Sequence, residues 1–129
     1  MKISIKFILT SVLYGLLGML IGMAMGITQE FKLAPVHAHL NLLGFMALAI
    51  YGLTFEVFED MANSQLATIQ YYIANIGLFL QLPALAFVVF NFKSAIPFLV
   101  LGEIITISSL ILFLANILNF AIKSQRVKV

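Results

Sequence analysis

Asp, Glu, Lys and Arg are missing from four long stretches of this chain, residues 7–29, 33–55, 61–92 and 104–122. A helix rises about 1.5 Å per residue, so roughly 20 apolar residues cross a hydrocarbon layer about 30 Å thick. Each stretch is long enough or nearly so. The pattern predicts an all-α fold, an integral membrane four-helix bundle with spans at about 7–27, 37–55, 67–90 and 96–122. These spans use most of the 129 residues and leave one transmembrane domain with short loops. Composition excludes the soluble alternative: 9% of the chain is charged and 63% hydrophobic, whereas soluble domains are about 25% charged.

The segments between the spans carry helix punctuation. Lys2 and Lys6 precede the first apolar run, which is longer than the roughly 7–15 apolar residues of a cleaved signal peptide and so reads as a retained helix. Residues 28–36 (TQEFKLAPV) form the first turn, with Pro35 suited to the first turn of the next helix, where its missing N–H is not needed. An acidic loop, residues 56–64 (EVFEDMANS), offers Asn63 or Ser64 as a cap, and residues 91–97 (NFKSAIP) make the last turn.

Charge placement gives an orientation. Lys2, Lys6, Lys123, Arg126 and Lys128 put five basic residues on one side, against Lys32 and Lys93 on the other. The positive-inside rule then places both termini in the cytoplasm, in a membrane expected to be the bacterial cytoplasmic one. The net charge of +2 is held at the chain ends rather than along a stripe, which argues against a nucleic-acid partner. With no cysteine there are no disulfides, thiolate metal sites or cysteine nucleophiles. Phosphate-binding loops, HExxH and GxSxG are also absent, and Ser108–Ser109 reads as helix-backbone bonding.

Polar side chains inside a membrane are costly, so each is a candidate site. His37, His39 and Asn41 lie early in the second span, Glu103 early in the fourth and Gln81 late in the third, all at similar depth in the outer half; Asn75, Asn116 and Asn119 lie elsewhere along the spans. Residues two apart on a helix point about 200° from each other, so His37 and His39 cannot share one ion from a regular helix. His37 shares a stripe with Asn41, Gly44 and Tyr51 and is expected to face the bundle interior. His39 continues through Leu43, Met46 and Ile50, an apolar face expected to meet lipid, another helix or another subunit. Two planar cofactors, one on each side of the helix, would suit this arrangement, as would two neutral imidazoles at the membrane boundary.

The stretch 35–52, PVHAHLNLLGFMALAIYG, resembles the His-x-His helix of the heme–copper oxidase superfamily, the cytochrome c oxidase subunit I type, especially C-type oxidases and nitric oxide reductases. The resemblance implies that His37 and His39 are heme ligands on opposite faces, with either assignment to the two hemes open. Family catalytic subunits have many more helices and additional copper-binding histidines, whereas this chain has two histidines in all. A complete oxygen-reducing centre in one chain is therefore not expected. The second axial position would be open, filled by Met19, Met23 or Met46, or supplied by another chain.

Gly15, Gly18, Gly22 and Gly26, within GLLGMLIGMAMG, form a small-residue stripe on the first helix, read first as close packing and second as room for a porphyrin. Met23 and Met25 are either packing or thioether ligands. Glu103 is the acidic residue placed well inside a span, expected to hydrogen-bond a histidine or Gln81, to orient a ligand imidazole, or to relay protons.

The resulting expectation is a small membrane protein binding heme, b-type by preference with copper or zinc as alternatives. Its cofactor-binding residues would be His37, His39, Asn41, Glu103 and Met23, with His37 and His39 as the metal ligands. Electron transfer, or respiratory oxidase function or assembly, is the implied role. Lipid and a homo-oligomer or larger respiratory complex are the implied partners. Two other classes stay open: a cofactor-free accessory or scaffold subunit, and a small transporter using Glu103.

Overall fold

The computed structural model describes residues 1–126 and is all-helical among them. Lys128, counted above in the charge bias, lies outside the described residues. Helix α1 spans Ile3–Thr28, α2 spans Ala34–Val57, α3 spans Gln65–Val89 and α4 spans Ile96–Arg126. All four are long and apolar enough to cross a membrane. α1 and α2 run past their uncharged stretches at the end of the bundle nearest the chain start, α4 does so at both ends, and α3 lies within its own.

Local chemistry sets the ends. α1 stops at Gln29, whose left-handed backbone (φ 57°) closes the helix while its Nε2 donates to the Gly26 carbonyl at 2.6 Å. Pro35 occupies the first turn of α2. A one-turn helix, Glu59–Ala62, follows α2, and the Ser64 hydroxyl then accepts from the Ala67 N–H at 3.3 Å to cap α3. Asn91, at φ 68°, turns the chain after α3, and a single 3₁₀ turn, Lys93–Ala95, leads into α4. Pro83 interrupts the hydrogen-bond ladder of α3 without ending the helix, on an exposed face.

The helices pair as two tight hairpins, α1 with α2 and α3 with α4, and glycines bring each pair together. A Cβ on Gly15 would stand 2.9 Å from the Phe45 ring, one on Gly18 2.7 Å from the Asn41 amide, and one on Gly22 2.6 Å from His37 Cε1. The Gly stripe of α1 is thus occupied by α2 of the same chain, apart from Gly26, which meets nothing within 4 Å. The close packing read from the stripe is thus made within one chain. In the second hairpin the contact reaches backbone: a Cβ on Gly102 would lie 2.6 Å from the Gln81 nitrogen, and one on Gly77 2.7 Å from the Thr106 nitrogen. Each atom pair at contact distance contributes only about 0.1–0.2 kcal/mol, so the gain comes from the length of seam that close approach allows.

The hairpins meet through aromatic rings in the half nearest the termini, and again at the other end, where Val36 and Leu40 near the start of α2 are buried and α2 packs on α3. Phe7 packs edge-on against Tyr51 (5.7 Å between centroids) and Tyr71 (5.1 Å), and Phe113 lies 4.6 Å from Tyr51. The outward faces stay apolar, with Leu13, Met19, Leu101 and Ile111 each about half or more exposed. That inverts the distribution expected of a water-soluble bundle. Chain start and chain end lie at one end of the bundle: Lys2 approaches Glu56 and Glu59, and Asn116 in the C-terminal half of α4 donates to the Met61 carbonyl at 3.1 Å. We call this end the inner rim.

From Leu40 to Ala47, α2 is π-helical, immediately after the two histidines. Wider turns of this kind place an extra residue in the helix and are frequent beside functional sites. His37, Asn41 and Gly44 face α1 together, as the regular-helix stripe predicts. Tyr51, beyond the widened turns, is buried between Phe7 and Phe113.

Candidate functional site: two histidines and an outer cleft

Above the aromatic contacts a cleft of about 300 Å³ lies between α2, α3 and α4. Its polar lining comes from all but one of the long helices: His39 and Tyr51 from α2, Gln81 from α3, and Glu103, Thr106 and Ser109 from α4. Leu43, Leu78 and Ile107 supply apolar wall. Of the neighbours expected for the His39 face, the structure supplies another helix. The residues next to it on α2 are apolar, but the space it borders is shared with polar groups of the facing hairpin. Spacing along one helix cannot reveal what another helix brings.

Both imidazoles are fixed through the same ring atom. His37 Nδ1 is 2.8 Å from the Gly18 carbonyl oxygen, and His39 Nδ1 is 2.8 Å from the Pro35 carbonyl oxygen. A carbonyl only accepts, so each Nδ1 carries the proton and each neutral ring keeps its lone pair on Nε2. Asn41 Nδ2 approaches His37 Nδ1 at 3.3 Å but donates instead to the His37 carbonyl at 2.8 Å, because the ring nitrogen is already a donor. Asn41 thus braces the backbone beneath the histidine.

The two rings have different surroundings. His37 is tucked against α1 in the notch at Gly22, half-buried within the first hairpin, whereas His39 opens on the cleft. Glu103 is half-buried across that cleft, associated with His39 rather than His37. Gln81 pairs with Thr106, not Glu103: the Thr106 hydroxyl lies 3.0 Å from Gln81 Oε1 and 2.9 Å from the Gly102 carbonyl. One hydroxyl proton faces two acceptors. Turning the amide over would let Gln81 Nε2 donate to the Thr106 oxygen while the hydroxyl donates to Gly102, satisfying all three groups. Met23 is 59% exposed on α1 and stands apart from this cluster, and Met19 is likewise exposed; the buried methionine there is Met25. Ser108 and Ser109 donate to the Ile104 and Thr106 carbonyls, as their helix positions predict.

These donors suit some ligands better than others. A Nδ1–H held by a backbone carbonyl is the usual way to orient an imidazole whose Nε2 binds metal. Among the described residues no group of three or more His, Cys, Asp or Glu side chains comes together. A copper or zinc ion held by such protein donors alone would lack part of its usual ligand set, whereas a porphyrin brings four nitrogens of its own and asks the protein only for axial positions. Gln70, which the sequence reading passed over, is fully buried on α3, and neither its Nε2 nor its Oε1 has a hydrogen-bond partner among the described residues. The signal was available, since Gln70 lies eleven residues before Gln81 and so on the same face of one helix. Comparison with known protein families, curated proteins and solved structures yields no match for this chain.

Proposed function

We propose that this chain is a small multi-pass membrane protein that binds heme, b-type by preference, and serves electron transfer or the function or assembly of a respiratory oxidase. Its four apolar helices lie in a bacterial cytoplasmic membrane with the inner rim toward the cytoplasm. The observation that carries the reading is the pair of imidazoles on one helix, each with Nδ1 bound to a backbone carbonyl and Nε2 left with its lone pair. The resemblance of residues 35–52 to the oxidase His-x-His helix supports the same assignment.

When bound, heme supplies reversible one-electron chemistry. The chain's own residues would do the rest: His39 would hold the group through Nε2 at the cleft, with the Pro35 carbonyl fixing that ring and Leu43, Leu78 and Ile107 forming the apolar wall. Glu103 offers a carboxyl group on the opposite wall. His37 is held by Gly18 and braced through Asn41, a second axial donor on the α1 side. A second copy or a larger respiratory complex supplies whatever axial ligand the chain does not.

The visible spectrum of the purified protein, expressed with ample heme, tests this directly. A Soret band that shifts on reduction is expected, with His39→Ala losing more of it than His37→Ala. Absence of the band, with metal content indifferent to both substitutions, rejects heme binding.

A further inference from the structure

Gln70 poses a problem that the heme reading leaves untouched. A buried amide without partners is costly in hydrocarbon-like surroundings, and Gln70 shows no exposure at all. Its position explains what can satisfy it. Ala74, one turn toward the outer side on α3, lines the outer cleft. Leu66, one turn toward the inner rim, lines a second cavity of about 530 Å³ whose polar lining includes Asp60, Ser64, Asn116, Asn119 and Lys123.

On α4 the same gap runs from Ser109, at the cleft, to Asn116, at the inner cavity, about 10 Å at the helical rise. Phe113, packed on Tyr51 and Phe55, fills α4 between them. The polar group within that gap is therefore Gln70, its two amide atoms uncommitted. Charged side chains stand at both ends of the file: Asp60 and Lys123 at the inner cavity and Glu103 at the cleft.

We propose that the α3–α4 seam conducts protons between the inner rim and the outer cleft, with Gln70 as the residue that holds water in its narrowest part. A proton enters from water at the inner cavity and passes along waters held by the Asn116 and Gln70 amides. It then moves past the Ser109 and Thr106 hydroxyls to the Glu103 carboxyl group, which passes a proton on to water at the mouth of the cleft and is restored for the next. The amide only orients water; no bond of the protein is made or broken except at the carboxyl group that takes the proton. This inference rests on the membrane reading and is independent of heme.

Proteoliposomes containing a trapped pH-sensitive dye, driven by a potassium diffusion potential, test it. The wild-type protein should admit protons faster than protein-free vesicles. Gln70→Met, which keeps the volume and removes the polarity, should fall to the protein-free rate, while Gln70→Asn should retain conduction. Glu103→Gln, at the other end of the file, should also lose it and serves if Gln70→Met does not fold. Wild-type flux equal to the protein-free rate, or flux unchanged in both apolar Gln70 and Glu103→Gln variants, overturns the path. The Soret band, read on the same preparations, separates this outcome from failure of the heme reading, and failure to float with vesicles rejects the membrane assignment and the path together.

Discussion

The His37 ring occupies the space where a side chain on Gly22 would be, with Cε1 2.6 Å from the position of that missing Cβ. Gly22→Ala should therefore push the ring off α1 and break its bond to the Gly18 carbonyl, at about 1–3 kcal/mol for overpacking. Gly26→Ala meets nothing within 4 Å and should be neutral or stabilising by about 0.5–1 kcal/mol, the helix preference of Ala over Gly. Thermal unfolding of both variants in the same detergent checks the pair. Equal melting temperatures would mean that His37 is not seated there.

In the second hairpin the neighbours of the glycines are backbone atoms, which have no rotamer to retreat to. Gly102→Ala would set a Cβ 2.6 Å from the Gln81 nitrogen and 2.8 Å from its Cα. We expect a loss at or above the upper end of the roughly 1–3 kcal/mol typical of overpacking, with the Gln81–Thr106 contact broken. A melting temperature no lower than that of Gly22→Ala would contradict this ranking.

Stability should depend on pH through the inner rim. The Ser4 hydroxyl, donating to Glu56 Oε2 at 2.5 Å, and the charge of Lys2 hold the Glu56 carboxyl below its ordinary range. Its contribution is complete above the unfolded value and disappears as pH falls through the lowered folded value. Lys2 is raised, first by the charge of Glu56, so its contribution is complete below the ordinary lysine value and is lost as pH rises through the folded one. The deficit of Glu56→Gln relative to wild type should thus be present at neutral pH, shrink in strong acid, and weaken with added salt. A deficit that is constant across that range would assign it to packing.

Topology has a direct readout. A reporter fused to the C terminus should be cytoplasmic and one inserted in the turn at residues 91–97 should lie on the opposite side, because the basic residues gather at the inner rim. Finding both on one side would remove a span or reverse the orientation.

What could be read in the sequence was what depends on one helix at a time. Absent charges marked the four helices, Pro35 and Ser64 marked starts, and the spacing of Gly15, Gly18 and Gly22 marked a packing face. The partner of that face was not legible, since a small-residue stripe serves a neighbour in the same chain as well as one in another. The cleft was legible only in depth: similar levels for His39, Gln81 and Glu103 followed from helix direction, but which histidine opened toward Glu103 depended on how the hairpins meet. The π-helical segment left no mark in LNLLGFMA, whose composition suits either helix type.

That segment divides α2 into two lengths whose angular settings are independent. The outer length is keyed to α1 by His37 and Asn41, and the inner length is seated on α1 at Gly52 and reaches Phe113 of the other hairpin through Tyr51 and Phe55. Tightening these turns to regular α-helix with the residue count unchanged would swing one length against the other by about 100°. Either the histidine end or the aromatic end would then lose its neighbours. The widened turns act as a coupling between two differently indexed gears, setting the histidine end and the aromatic end of one helix at separate angles.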